Sequence, residues 1–198
     1  MTDEATLVEQ GLELHQRGRL RDAAALYRQV LGRQPRHAEA NHLLGLIEQQ
    51  AGNREQALHH LSLAVAAAPD EAAYLSNLGL ALQASGRLEE ASARYRRAIE
   101  LAPDIAAIHN NLGVVLQAMG TPDAARDSFG KALALEPGYA EAHANLGLAL
   151  QALGDLEGAV ASLGRAVELR PGYTRALAGL GQVLGRMGRH EEAVASLR

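Results

Sequence analysis

Residues 72–105 read AAYLSNLGLALQASGRLEEASARYRRAIELAPDI, one complete copy of a unit that recurs along the 198-residue chain. From Ala72 to Ser85, Leu75, Leu78 and Leu82 follow one another at intervals of three and four. That spacing predicts one face of an amphipathic helix. Gly86 predicts its end, because glycine enters the left-handed backbone region without a steric penalty. A second helix is predicted from Leu88 to Leu101, with Glu89 and Glu90 in the first turn, where carboxylates suit the helix dipole. Its buried side carries Ala91, Tyr95, Ala98 and Ile99, and Pro103 closes it and opens the next unit.

The same marks repeat every 34 residues. Prolines stand at 35, 69, 103, 137 and 171, and glycines at 11, 45, 79, 113, 147 and 181. A second glycine series runs 18, 52, 86, 120, 154 and 188, and alanines occupy 23, 57, 91, 125, 159 and 193. A fixed period of this length is the mark of a copied supersecondary unit whose copies must stack to bury a core. The array runs from 4 to 198, with units at 4–37, 38–71, 72–105, 106–139 and 140–173 and a partial sixth at 174–198. The fold class is all-α, an α-solenoid of stacked helical hairpins. The one proline out of phase, Pro122, follows Thr121, which predicts an N-cap with proline at the first helical position. The small residues predict close helix crossings, with Gly79 and Ala91 at the nearest approach of one hairpin.

Composition narrows the function. A net charge of −4 and a pI near 6.1 argue against a nucleic-acid partner, because nothing draws the chain to polyphosphate. There is no cysteine, so disulfides and thiol chemistry are excluded, and Lys131 is the only lysine. No run of about 18 apolar residues is present to span a membrane. Met1 leads into Thr2, Asp3 and Glu4 rather than a signal peptide, and a cytoplasmic location is the expectation.

These ladders resemble the tetratricopeptide repeat, whose 34-residue pattern is matched in 106–139 by Leu112, Gly113, Leu116, Ala125, Phe129, Ala132 and Pro137. Two departures stand out. The usual leading Trp is replaced by Leu7, Asn41, Leu75, His109, His143 and Leu177, and Glu48 takes a position that is usually large and apolar. The resemblance implies a right-handed superhelix. It also implies that the first helix of each hairpin lines a concave groove for a protein or an extended peptide. Those helices carry Asn77, Asn111 and Asn145 on the repeat period, and Gln49, Gln83, Gln117 and Gln151 likewise, beside Leu46, Leu80, Val114 and Leu148. These are the candidate peptide-binding residues. An amide is donor and acceptor together, so it pairs with a peptide backbone whatever its side chains. The asparagine ladder is similar to that in the repeats of O-GlcNAc transferases and the related SPINDLY proteins. A clamp for a C-terminal carboxylate is argued against, since its positions hold Val8, Leu12, His42 and Leu46.

No nucleophile elbow, phosphate-cradling loop or other catalytic constellation is present, so no catalytic residue, cofactor or metal is assigned. The repeat-spaced His109 and His143 lack the close spacing of zinc ligands. Arg94, Arg96 and Arg97 read as a solvated outer face. The expected function is a peptide-binding scaffold. The alternative is the recruiting arm of a larger glycosyltransferase or other transferase, like the front end of bacterial repeat-bearing enzymes. The last unit reaches Arg198 before its proline, so Leu180, Leu184, Val194 and Leu197 are expected to lack full cover and to offer an end-to-end contact with a second copy.

Overall fold

A computed structural model describes residues 3–196. Among the described residues there are twelve α-helices and no strand. Two compact units divide the chain, the first ending at Leu101 and the second beginning at Ala102. The first holds α1 (Glu4–Gln16), α2 (Leu20–Arg33), α3 (Ala38–Gln50), α4 (Arg54–Ala67), α5 (Ala72–Ala84) and α6 (Leu88–Leu101). The second holds α7 (Ala106–Ala118), α8 (Pro122–Leu135), α9 (Ala140–Leu153), α10 (Leu156–Leu169), α11 (Thr174–Arg186) and α12 (His190–Ser196).

Each hairpin turns at a glycine of the second series. Gly86 has φ +74°, and all six glycines of that series share this left-handed conformation, which carries a steric penalty for residues with a Cβ. The first glycine series works differently. A Cβ placed on Gly79 would lie 2.9 Å from Cε1 of Tyr95, and one on Gly113 would lie 2.5 Å from Cε1 of Phe129. These glycines let the second helix push a ring or a leucine against the backbone of the first. Ala91, Tyr95 and Ala98 are fully buried on α6, as their spacing predicts, while Ile99 is half-buried.

Within each unit every helix packs on the next, and the first helices of successive hairpins also touch: α1 with α3, α3 with α5, α7 with α9 and α9 with α11. No two second helices of a unit do so among the described residues. The first helices therefore form the inner, more closely spaced layer of each unit, and the second helices the outer one. In the first unit Leu7, Val8, Tyr27, Val30, Leu44 and Ile47 share one core cluster. In the second, Leu163, Ala166, Ala176 and Val183 share another.

Two expectations change. Thr121 does stand at the N-cap of α8 with Pro122 behind it, but its hydroxyl makes no cap bond there. It donates instead to the Leu116 carbonyl at 2.8 Å and so closes the preceding helix, α7. At the far end Leu184 is buried, against the expectation, whereas Leu180, half-buried against the α10–α11 cluster, and Val194, 52% exposed, do lack full cover. Leu197 and Arg198 lie outside the described residues.

Candidate functional site

The candidate residues all lie on first helices, and they fall into two groups. On α3 and α5 the first unit places Gln49, Asn77, Leu80 and Gln83; on α7 and α9 the second places Asn111, Val114, Gln117, Asn145, Leu148 and Gln151. Leu80 is exposed, and Val114, Leu148, Asn111, Gln117 and Gln151 are half-buried. Gln83 is half-buried, and its Oε1 accepts from the Tyr95 hydroxyl at 3.3 Å, which ties it to the second helix of its own hairpin.

The asparagine ladder is not uniform. Asn145 is only 3% exposed, and its Nδ2 donates to Oδ1 of Asn110 at 2.9 Å. Asn77 donates from Nδ2 to Nε2 of His42 at 2.8 Å. Both bonds join a first helix to the first helix of the preceding hairpin, and both span 35 residues, one more than the repeat. Two of the three amides thus commit one N–H each to the joints between hairpins. Asn77 and Asn111 are both half-buried, so their amides stay partly open, and Asn145 is the buried rung.

A second recurring bond lies six residues after the linker proline. Asn41 donates from Nδ2 to the Pro35 carbonyl at 2.9 Å, and the Nε2 atoms of His109 and His143 lie 2.8 and 3.0 Å from the carbonyls of Pro103 and Pro137. A carbonyl can only accept, so each Nε2 carries a proton. These residues occupy the place of the leading Trp, and they stitch the linker to the helix that follows. The two histidines are therefore engaged in the linkers. The signal was present in the sequence as a polar residue six places after Pro35, Pro103 and Pro137, against Leu75 and Leu177 after Pro69 and Pro171.

The second hairpin concentrates the remaining polar chemistry. Glu48, 5% exposed, accepts through Oε1 from Arg28 at 2.8 Å and through Oε2 from Asn53 at 2.7 Å. Both oxygens are satisfied, and Arg28 itself stays 60% exposed. Ala24, Ile47, Glu48 and Asn53 line one open cleft at this edge. His60 donates from Nδ1 to Oδ1 of Asn41 at 3.0 Å, and burial lowers its pKa, with neighbouring His59 adding to the effect. No group of three His, Asp or Glu residues among those described is placed to hold a metal ion. No helix among the described residues is long and apolar enough to cross a membrane. Arg97, by contrast, is exposed and paired with Asp70 and Glu100.

The stacked hairpins with their inner layer of first helices define an all-α repeat solenoid. The chain belongs to the tetratricopeptide repeat family: models described as tetratricopeptide repeat match residues 14–80 with 150–198 and residues 104–172, and one described as TPR repeat matches 82–120. No curated protein matches the sequence significantly. Among solved structures, MamA is similar at 27% identity and a TM-score of 0.75, over 81% of this chain and 94% of that one. YrrB, described as a TPR protein with an unusual peptide-binding site, is 23% identical with a TM-score of 0.78, over 88% and 90% of the two chains. PilF of Pseudomonas aeruginosa shares the fold at 23% identity and a TM-score of 0.84, over 98% and 88%.

Proposed function

We propose that this chain is a protein-interaction scaffold that takes an extended peptide along the inner layer of first helices. One observation carries this reading: in each unit those helices approach one another and present reachable apolar side chains next to amides. Leu80 lies beside Gln83 on α5, and Asn111, Val114 and Gln117 lie at intervals of three on α7. Such a surface offers an extended chain backbone hydrogen bonds and shallow apolar contact. It recognises main chain more than side chain, which suits a scaffold with many ligand sequences. The family fold adds support, since YrrB shows that a peptide-binding site occurs on it. The buried Asn145 and the His42-bound Asn77 hold the register of the surface, and Asn111 makes the contacts.

A random-peptide display screen, followed by NMR mapping of the selected peptides on the labelled chain, tests the reading. Shifts should concentrate on α3, α5, α7 and α9. Leu80→Asp and Asn111→Ala should each weaken the selected peptides about tenfold with helicity intact, the loss of one desolvated contact. Shifts confined to the outer helices, or undiminished binding by both variants, overturn it.

A further inference from the structure

His42 sits beneath the inner face rather than on it. Its side chain is 9% exposed between α3 and α5 and stacks on Tyr74, with ring centroids 4.3 Å apart and planes 30° from parallel. Its Nε2 lies 2.8 Å from Nδ2 of Asn77. An amide nitrogen has only hydrogens to give, so Nε2 must be the acceptor and the one ring proton must sit on Nδ1. The imidazole is therefore neutral as placed.

The surroundings support that state. Burial pushes the His42 pKa down to about 4, with no charged neighbour contributing. On α5 the facing titratable group is Tyr74; Glu39 of α3 and Glu71 at the start of α5 act on its hydroxyl. On α1, Glu9 shares a cleft with His37 and Glu39. On α4, His60 is turned to Asn41, and on α2, Arg28 is turned to Glu48. None of these makes a hydrogen bond or ion pair with His42 among the described residues.

We propose that His42 and Asn77 form a proton-operated latch between α3 and α5. The neutral imidazole accepts from Nδ2 of Asn77 and holds it; a protonated imidazole has two donors and no acceptor, so the Nδ2 bond breaks and the amide must swing away or turn its Oδ1 to the ring. Asn77 stands three residues before Leu80 on one helix face, so its release alters the inner face beside Leu80. This last consequence rests on the peptide-binding reading, whereas the latch does not.

The test is an NMR titration of the full chain from pH 7.5 to pH 3.5, following the His42 ring and the Asn77 side-chain amide together. The expected result is that His42 titrates well below the ordinary histidine range. The Asn77 amide should shift with the same midpoint, and its exchange with water should rise about tenfold as the bond is lost. His42→Gln, which offers an Oε1 acceptor and cannot titrate, should leave the Asn77 amide unmoved by pH. An Asn77 amide silent through the His42 titration overturns the latch, because an amide turned with Oδ1 to the ring at every pH behaves in that way. The same pH response in His42→Gln overturns it too, and if that variant does not fold, the titration of the unaltered chain decides alone. A latch that opens without changing the affinity of a selected peptide counts against the peptide-binding reading and leaves the latch standing.

Discussion

Gly113 and Glu48 show how much depends on single positions in so thin a fold. Gly113 is a fixed gap into which Phe129 packs, and a methyl group there would meet the ring at 2.5 Å. Phe129 is fully buried and has nowhere to go. Gly113→Ala should therefore destabilise the chain by about 1–3 kcal/mol through overpacking, read as a lower urea midpoint. Glu48 works the other way. Its carboxylate is buried, but its partner Arg28 is mostly in water and Asn53 is exposed, so both can be hydrated when it is gone. Glu48→Leu leaves no buried charge without a partner and restores the side chain found at 82, 116, 150 and 184. It should raise stability by about 1–2 kcal/mol, read as a higher melting temperature; a lower one would mean that the ion pair outweighs apolar burial here.

Helices and hairpins in this chain were legible because their signals are local. α6 runs from Leu88 to Leu101, the span that its leucines, acidic first turn and following Pro103 predict. α5 ends at Ala84, one residue inside the prediction, and Gly86 takes the left-handed turn. Thr121 is instructive, because the residue type predicted a cap and the position was right, yet the hydroxyl found the Leu116 carbonyl behind it. A threonine between two helices has orphan groups on both sides, and the sequence does not say which one wins. The joints between hairpins were harder still. A period of 34 draws the eye to Asn77, Asn111 and Asn145 as equals, while the bonds that distinguish them run at 35, from His42 to Asn77 and from Asn110 to Asn145.

The chain as a whole should lose stability toward acid in two stages. Its exposed ion pairs, such as Arg87–Glu90 and Arg189–Glu192, lower the carboxylate pKa values of Glu90 and Glu192 mainly through hydrogen bonds from the arginines. A lowered carboxylate pKa gives stability that is present above the unfolded value and lost only as pH falls through the folded one. Those pairs act below about pH 4.5, and weakly, because they are solvated. His42 acts earlier. Its folded pKa lies near 4 against an ordinary 6.5, so the unfolded chain takes up the proton first, and stability falls as pH drops from about 6.5 toward 4. His60 is lowered in the same direction. Urea titrations at pH 7 and pH 5 should differ by about 2 kcal/mol, and His42→Gln should remove most of that difference. An unchanged difference in the variant would place the acid sensitivity elsewhere.

The repeat, the helices, the turning glycines and the crossing glycines follow from the sequence, because each is set by hydrogen bonds and sterics within a few residues and then copied every 34. The family follows from the same ladders. Which amides face a ligand and which are spent inside does not follow. Asn111 and Asn145 have the same neighbours, Leu and Gly, on their C-terminal side, but Asn145 is buried against Asn110 while Asn111 is partly open. Asn145 is committed because the preceding hairpin of its own unit sets Asn110 against it. The stacking of hairpins within a unit fixes this, through a contact 35 residues away that no local pattern encodes.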